Sequence, residues 1–294
     1  MSRNVFKGLG IALVTPFTKT GEIDYKSLEN IVEYQISNKV DFICVLGTTA
    51  ETPCLTNAEK LEIRKRIVEL NNGRVPLLLG YGHNCTAALV EQIQSDSLKG
   101  IDGILTVCPY YNKPSQEGLY QHYMTIASNS PVPVVVYNVP GRTGVNMQAE
   151  TLLRLVRDQK NIVAVKEASG NITQISDILK DKPDDFDLLS GDDGLAYELI
   201  GLGASGVISV VGNAYPKEFG ELIHLQQEGK GAMALPIQRK FNDLFKYLFI
   251  DGNPAGIKYV LYKMGLLENQ LRLPLTPIRK ETEEKIEKWL ETFK

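Results

Sequence analysis

Eight short apolar runs, each followed by a helix-like stretch, occupy the chain from its first residues to about residue 228. This alternation constrains the fold more than any other feature. The runs are residues 10–14, 42–46, 76–79, 103–107, 133–137, 162–166, 186–189 and 206–210. They are apolar throughout rather than at alternate positions, which suits strands buried on both faces. The gaps between them carry helix signals. Thr56 with Glu59 forms a capping box ahead of Leu61, Ile63 and Ile67. Leu119, Tyr123 and Ile126 fall on one helical face, and Asn171 caps a stretch holding Ile175, Ile178 and Leu179. Eight strand–helix units in succession predict an α/β fold, a (β/α)8 TIM barrel. A doubly wound open sheet is the rival, but its first strand should lead into a glycine-rich turn, and here it leads into Thr15-Pro16.

The strand pattern stops at Gly229. Residues 230–294 read as helices alone, over about 231–249, 255–264 and 280–292. The last places Ile286, Trp289, Leu290 and Phe293 on one face, with Glu281–Lys285 and Glu284–Lys288 as i,i+4 pairs on the other. The chain is therefore expected to divide into a barrel domain, 1–229, and a small C-terminal helical domain, 230–294.

Charge excludes some partners. With 32 Lys+Arg against 35 Asp+Glu, the net charge of −3 offers no basic field for nucleic acid. No apolar run reaches the ~18 residues of a membrane span. The opening residues do not read as a secretory leader, so a cytoplasmic location is expected. The cysteines, at 44, 54, 85 and 108, and the histidines, at 83, 122 and 224, show no metal-ligand spacing, and no metal or cofactor is expected. Cys44 and Cys108 sit in apolar runs and read as small core residues.

Barrel active sites lie at the C-terminal ends of the strands. Taken in turn, those ends read Thr15-Pro16, Gly47-Thr48-Thr49-Ala50-Glu51, Gly80-Tyr81-Gly82, Pro109-Tyr110-Tyr111-Asn112, Tyr137-Asn138, Lys166-Glu167, Gly191-Asp192-Asp193 and Gly212-Asn213. Lys166 is the most informative. An amine ending a buried strand is costly to charge, and a neutral amine attacks carbonyls to form Schiff bases. The alternative is a lysine paired with Glu167 or reaching solvent, and position alone leaves both open. Tyr137, ending the adjacent strand, is placed to move protons to and from a carbonyl oxygen. The turn at Gly47-Thr48-Thr49 offers hydroxyls and N–H groups to a small carboxylate. Arg142 is suited to grip a second carboxylate with two parallel bonds. The loops after strands seven and eight, where barrels often hold phosphate, carry Asp192 and Asp193 and no nearby cation, which disfavours sugar phosphates.

Together these segments, with Lys113-Pro114-Ser115-Gln116-Glu117-Gly118-Leu119-Tyr120, Val139-Pro140-Gly141-Arg142-Thr143-Gly144 and Gly206-Val207-Ile208-Ser209-Val210, resemble the dihydrodipicolinate synthase family of the N-acetylneuraminate lyase superfamily. The resemblance runs in order through the whole barrel. It implies condensation of pyruvate with L-aspartate 4-semialdehyde to 4-hydroxy-tetrahydrodipicolinate, on the route to diaminopimelate and lysine. It implies that Lys166 forms the imine. It makes Thr48, Tyr137 and Tyr111 a proton relay, with Tyr111 supplied by a neighbouring subunit, and hence a homo-oligomer, usually a tetramer built as a dimer of dimers. It also implies that Thr49 binds the pyruvate carboxylate, that Arg142 binds the semialdehyde carboxylate, and that Gly191 and Ile208 make backbone contacts in the pocket.

Two departures from the family pattern stand out. Position 50 is Ala where the family has Gly, and alanine tolerates a positive φ poorly, so this turn is expected to differ slightly. Ala88 stands where lysine-inhibited members carry an acid, and Asn57 and Lys60 where some carry histidines, although Asn84 and Tyr110 match. Weak or absent inhibition by lysine is expected. Two other readings share the barrel: a sugar-acid aldolase, which gives no role to Arg142 or the Tyr110-Tyr111 pair, and a catalytically silent binding protein, which gives none to the retained Lys166, Tyr137, Tyr111 and Thr48.

Overall fold

The computed structural model describes residues 5–293; residues 1–4, part of the opening segment read above for a leader, lie outside the described residues. The eight apolar runs form eight parallel strands closed into one barrel. They are β1 (Gly8–Ala12), β2 (Phe42–Val45), β3 (Leu77–Gly80), β4 (Gly103–Val107), β5 (Val134–Asn138), β6 (Ile162–Glu167), β7 (Asp187–Ser190) and β8 (Gly206–Ser209). Seven agree with the sequence reading to within a residue at each end. β1 starts and stops two residues earlier than the apolar run, because Val14 leaves the ladder and donates its N–H to the side chain of Asn213.

Helices link the strands and cover their outer faces. They are α1 (Tyr25–Ser37), α2 (Asn57–Asn71), α3 (Thr86–Ser95), α4 (Gln116–Asn129), α5 (Pro140–Thr143), α6 (Ala149–Asp158), α7 (Ile172–Asp181), α8 (Ala196–Gly201) and α9 (Pro216–Gln227). The Thr56–Glu59 capping box is fully formed at the start of α2, and Asn171 accepts from the Gln174 N–H at the start of α7. Cys44 and Cys108 are buried and unbridged, as expected of core residues.

Side chains divide between two apolar zones. One fills the barrel and contains Phe42, Cys44, Leu78, Leu105, Val135, Tyr137, Leu189 and Ile208; the other lies between strands and helices. On β6, both Val163 and Ala164 face the interior, and Ile162 and Val165 face the helices. This break in alternation is a β-bulge. The pairing with β5 steps from Val134↔Ile162 to Val135↔Ala164 and skips Val163. An inserted residue flips every later side chain to the opposite face. The skip therefore sends Lys166 into the barrel and Glu167 outward.

After α9 the chain continues as α10 (Gly231–Tyr247), α11 (Ala255–Lys263) and α12 (Lys280–Thr292), close to the helices read from sequence. The apolar face of α12 packs on α10: the Trp289 and Phe241 ring centroids lie 5.9 Å apart, and Trp289 Nε1 donates to the Lys240 carbonyl. The expected Glu281–Lys285 and Glu284–Lys288 pairs are not among the ion pairs of the described residues. Glu287 instead reaches across to Lys263 and Tyr259 on α11. A contact between helices fixes a side chain that an exposed i,i+4 pair holds only weakly. Among the described residues no helix is long and apolar enough to cross a membrane.

Candidate active site

The bulge in β6 and the register of β5 bring Lys166 and Tyr137 side by side. They are directly paired positions, and Lys166 Nζ lies 4.4 Å from the centroid of the Tyr137 ring. Lys166 is 6% exposed. Among the described residues no carboxylate forms an ion pair with it, so the alternative of a Lys166–Glu167 pair is not realised. Glu167 points the other way, where its carboxylate accepts from Asn138 Nδ2 (3.0 Å), the Ser169 N–H (2.7 Å) and Gln174 Nε2 (3.3 Å). Burial nevertheless pushes the Glu167 carboxyl above the usual carboxylate range. Asn138 also accepts from the Met147 N–H and donates to Asn146. Asn138 and Glu167 thus lock the ends of β5 and β6 from behind, and with them the directions of the preceding Tyr137 and Lys166. The sequence reading missed this clamp. Its signal was present in two adjacent strands ending Tyr-Asn and Lys-Glu, a buried polar residue after each functional one.

The floor of the site is apolar. Cys44 lies close enough for the charge of Lys166 to draw its thiol pKa down, but burial outweighs this and pushes the thiol up to about 11. Ile208 is buried in the same interior zone. Gly191 follows β7, and a Cβ there would lie 3.2 Å from Lys166 Cε and 2.6 Å from Ala168 Cβ. The clash with Ala168 leaves room only for glycine where the backbone passes beside the lysine. Asp193, also missed as a structural element, is buried behind this loop and accepts from the N–H groups of Val210 (3.0 Å) and Val211 (2.7 Å). It ties the β7 loop to the β8 loop. Burial pushes its carboxyl up to about 6, with those N–H groups opposing the rise.

The β2 loop supplies the hydroxyls. Leu46 turns through φ 56, and a Cβ on Gly80 would lie 2.1 Å from its carbonyl oxygen, so the loop crosses β3 only because position 80 is glycine. Thr48, Thr49 and Ala50 then form one 3-10 turn. Ala50 is not among the residues with positive φ; the left-handed residue is Glu51, at φ 55 and ψ 33. The expected perturbation at Ala50 is therefore absent. Thr48 and Tyr137 line a cavity of about 730 Å³ that opens between the β2, β3 and β4 loops. Thr49 is buried, and its hydroxyl accepts from Asn253 Nδ2 (2.9 Å), at the approach to α11.

Two expected residues stand apart. Arg142 lies on α5, exposed and without an ion pair among the described residues. Tyr111 sits in the β4–α4 loop at φ 74, is 88% exposed, and is not among the residues lining the cavity beside Thr48 and Tyr137. The lysine-related positions Asn57, Lys60, Ala88 and Tyr110 all line the same cavity as Thr48.

Comparison with known proteins agrees with this geometry. The model of the Dihydrodipicolinate synthetase family matches residues 5–293. The 4-hydroxy-tetrahydrodipicolinate synthase of Phocaeicola vulgatus is 57% identical over 294 residues, covering 100% of this chain and 99% of that one. The crystal structure of dihydrodipicolinate synthase from Aquifex aeolicus superimposes with a TM-score of 0.94 at 41% identity, covering 98% of both chains. The enzyme from Acinetobacter baumannii, solved in complex with pyruvate, gives a TM-score of 0.94 at 38% identity, again covering 98% of both chains. With a barrel that closes around Lys166 and a match along almost its whole length, this chain belongs to the dihydrodipicolinate synthetase family.

Proposed function

We propose that Lys166 is the amine through which this enzyme joins pyruvate to L-aspartate 4-semialdehyde, giving 4-hydroxy-tetrahydrodipicolinate. The observation that carries the assignment is the β6 bulge, which turns a buried lysine, without a carboxylate partner among the described residues, onto the ring of Tyr137. Lys166 Nζ attacks the keto carbon of pyruvate, and water leaves as the imine forms. Loss of a methyl proton gives the enamine, whose carbon attacks the aldehyde. The substrate's own amine then closes the ring onto the imine carbon and releases the lysine.

Protons must move onto and off one oxygen during imine formation, and Tyr137, Thr48 and Tyr111 are the hydroxyls assigned to this work. Tyr111 acts in a neighbouring copy. Its exposure, on a loop where Tyr111 and Lys113 both hold left-handed backbone, supports donation across an interface. A homotetramer arranged as a dimer of dimers satisfies this requirement. Thr49 holds the pyruvate carboxylate, Arg142 the semialdehyde carboxylate, and the backbones of Gly191 and Ile208 border the bound pyruvate. We assign all of these groups to a barrel domain, 1–229, of an enzyme that works in the cytoplasm on soluble substrates.

The test is borohydride trapping. Protein incubated with pyruvate, reduced and digested is expected to carry the adduct on the peptide containing Lys166. Lys166→Ala is expected to lose the adduct and at least about a thousandfold in turnover. An adduct elsewhere, or full turnover by the variant, overturns the assignment.

A further inference from the structure

We infer that the C-terminal helices hold the Thr48–Thr49 turn in register through a buried Glu51–Lys258 ion pair and an Asn253–Thr49 hydrogen bond, so that Glu51, Lys258 and Asn253 are positioning residues for the pyruvate carboxylate. The inference rests on the role proposed above for Thr49.

Lys258 lies on α11 and is wholly buried. Its ammonium donates to the Glu51 carboxylate and to the Gln270 carbonyl (2.9 Å), and lies 4.2 Å from the centroid of the Phe17 ring. The other Glu51 oxygen accepts from the Arg272 N–H (3.0 Å). The Arg272 guanidinium forks onto Glu59 at the start of α2 (2.9 and 2.6 Å) and donates to the carbonyls of Cys54 (3.1 Å) and Gly21 (2.9 Å). Apart from the Lys258–Gln270 bond, which ties the C-terminal segment to itself, these contacts join residues 258–272 to the segment that begins at the catalytic turn or to the loop beside it.

The pair sits at a place where the turn needs holding. Glu51 occupies the left-handed region directly after Thr48, Thr49 and Ala50. A side-chain-bearing residue stays there only when its surroundings fix it. A buried carboxylate bonded on both oxygens does so. Removing one partner would strand the other as a lone buried charge, so the tether is strong in one direction only: it resists being opened.

Asn253 adds direction to this anchoring. A hydroxyl has a single proton to donate. Because Thr49 Oγ1 accepts from Asn253 Nδ2, its own proton is left to point elsewhere, as a donor for an anionic carboxylate. An aspartate at 253 would accept instead of donate and would compete for that proton. The helical region after residue 229 thus takes part in substrate binding without touching the substrate.

Steady-state kinetics on the full-length chain test this. Asn253→Ala is expected to raise the KM for pyruvate about tenfold, the cost of one misaligned bond to a charged group, with kcat and the KM for the semialdehyde within about twofold. Asn253→Asp, of nearly the same shape, is expected to raise it further. Glu51→Gln and the pair Glu51→Gln with Lys258→Met, which leaves no lone buried charge, are expected to shift the pyruvate KM in the same direction. Each variant should still form the Lys166 adduct at saturating pyruvate. Variants that lower only the melting temperature and keep the wild-type pyruvate KM overturn the inference while leaving Lys166 in place. If the Glu51 variants do not fold, the two Asn253 variants decide. Wild-type protein that gives no adduct on Lys166 removes the Thr49 assignment and this inference with it.

Discussion

His122 lies on α4 and faces α3, with Nδ1 2.8 Å from the Thr86 hydroxyl and Nε2 buried without a partner. Burial pulls its pKa down to about 4, against 6.5 when exposed. Between those values the unfolded chain takes up a proton that the folded chain refuses. Its contribution to stability is therefore complete above about pH 6.5 and is lost as pH falls toward 4, by about 3 kcal/mol in all. Asp193 works in the opposite sense. Its carboxyl rises from 3.8 to about 6 on folding, so its contribution is complete below 3.8 and is lost as pH rises through 6. The two partly cancel in the wild type. Urea unfolding of wild type and His122→Gln at pH 7, 5.5 and 4.5 separates them: the wild type should lose about 2.4 kcal/mol relative to the variant across that range. A constant difference between the two proteins would show that His122 titrates normally in the fold.

At the scale of elements, α2 and α3 form one wall of the cavity beside Thr48. They present Asn57 and Lys60 from α2 and Ala88 from α3. An effector amine entering here meets a methyl group at 88 and a like charge at 60, which repels it. Glu91 is on the same wall, but it is exposed and nearly a turn further along α3. Asp96 is already engaged by Arg64 and Tyr81. Free lysine is accordingly expected to inhibit weakly or not at all. Half-maximal inhibition below about 1 mM lysine in the turnover assay would contradict this. The capping residues of α2 and α7 and the apolar face of α12 were legible in sequence because caps and helical periodicity are local. The bulge in β6 was not. Residues 162–165 are Ile, Val, Ala and Val, all apolar, so nothing in that run marks which of them is skipped.

For the whole molecule, the question is whether Tyr111 works in another copy of the chain. If donation is reciprocal across a two-fold interface, a site needs Lys166 from one copy and Tyr111 from its neighbour. Tyr111→Phe and Lys166→Ala should each be nearly inactive alone. Unfolded together and refolded as a mixture, they should recover activity, because a mixed dimer contains one intact site of two. Random pairing makes half of the dimers mixed, so recovery should approach about a quarter of wild type. No recovery in a mixture shown by sedimentation to contain mixed oligomers would place Tyr111 outside the reaction.

The amino-acid sequence alone determined the closed barrel, through eight runs too apolar to face water on either side. It also determined where chemistry belongs, because strand ends are the points at which polar residues interrupt those runs. Strand-end position singled out Lys166, Tyr137 and the Thr48–Thr49 turn as candidates, and resemblance to the family gave each a role. The tertiary structure decided which way they face. A period of two makes side-chain direction depend on every residue before it, so one bulged valine turns Lys166 from the helix side to the interior. The tertiary structure alone also joined Asn253 and Lys258 to a turn some 200 positions earlier in the chain. A contact at that separation leaves no periodicity or spacing to read. It exists because folding packs α11 against the β2 loop and must give a buried ammonium a carboxylate.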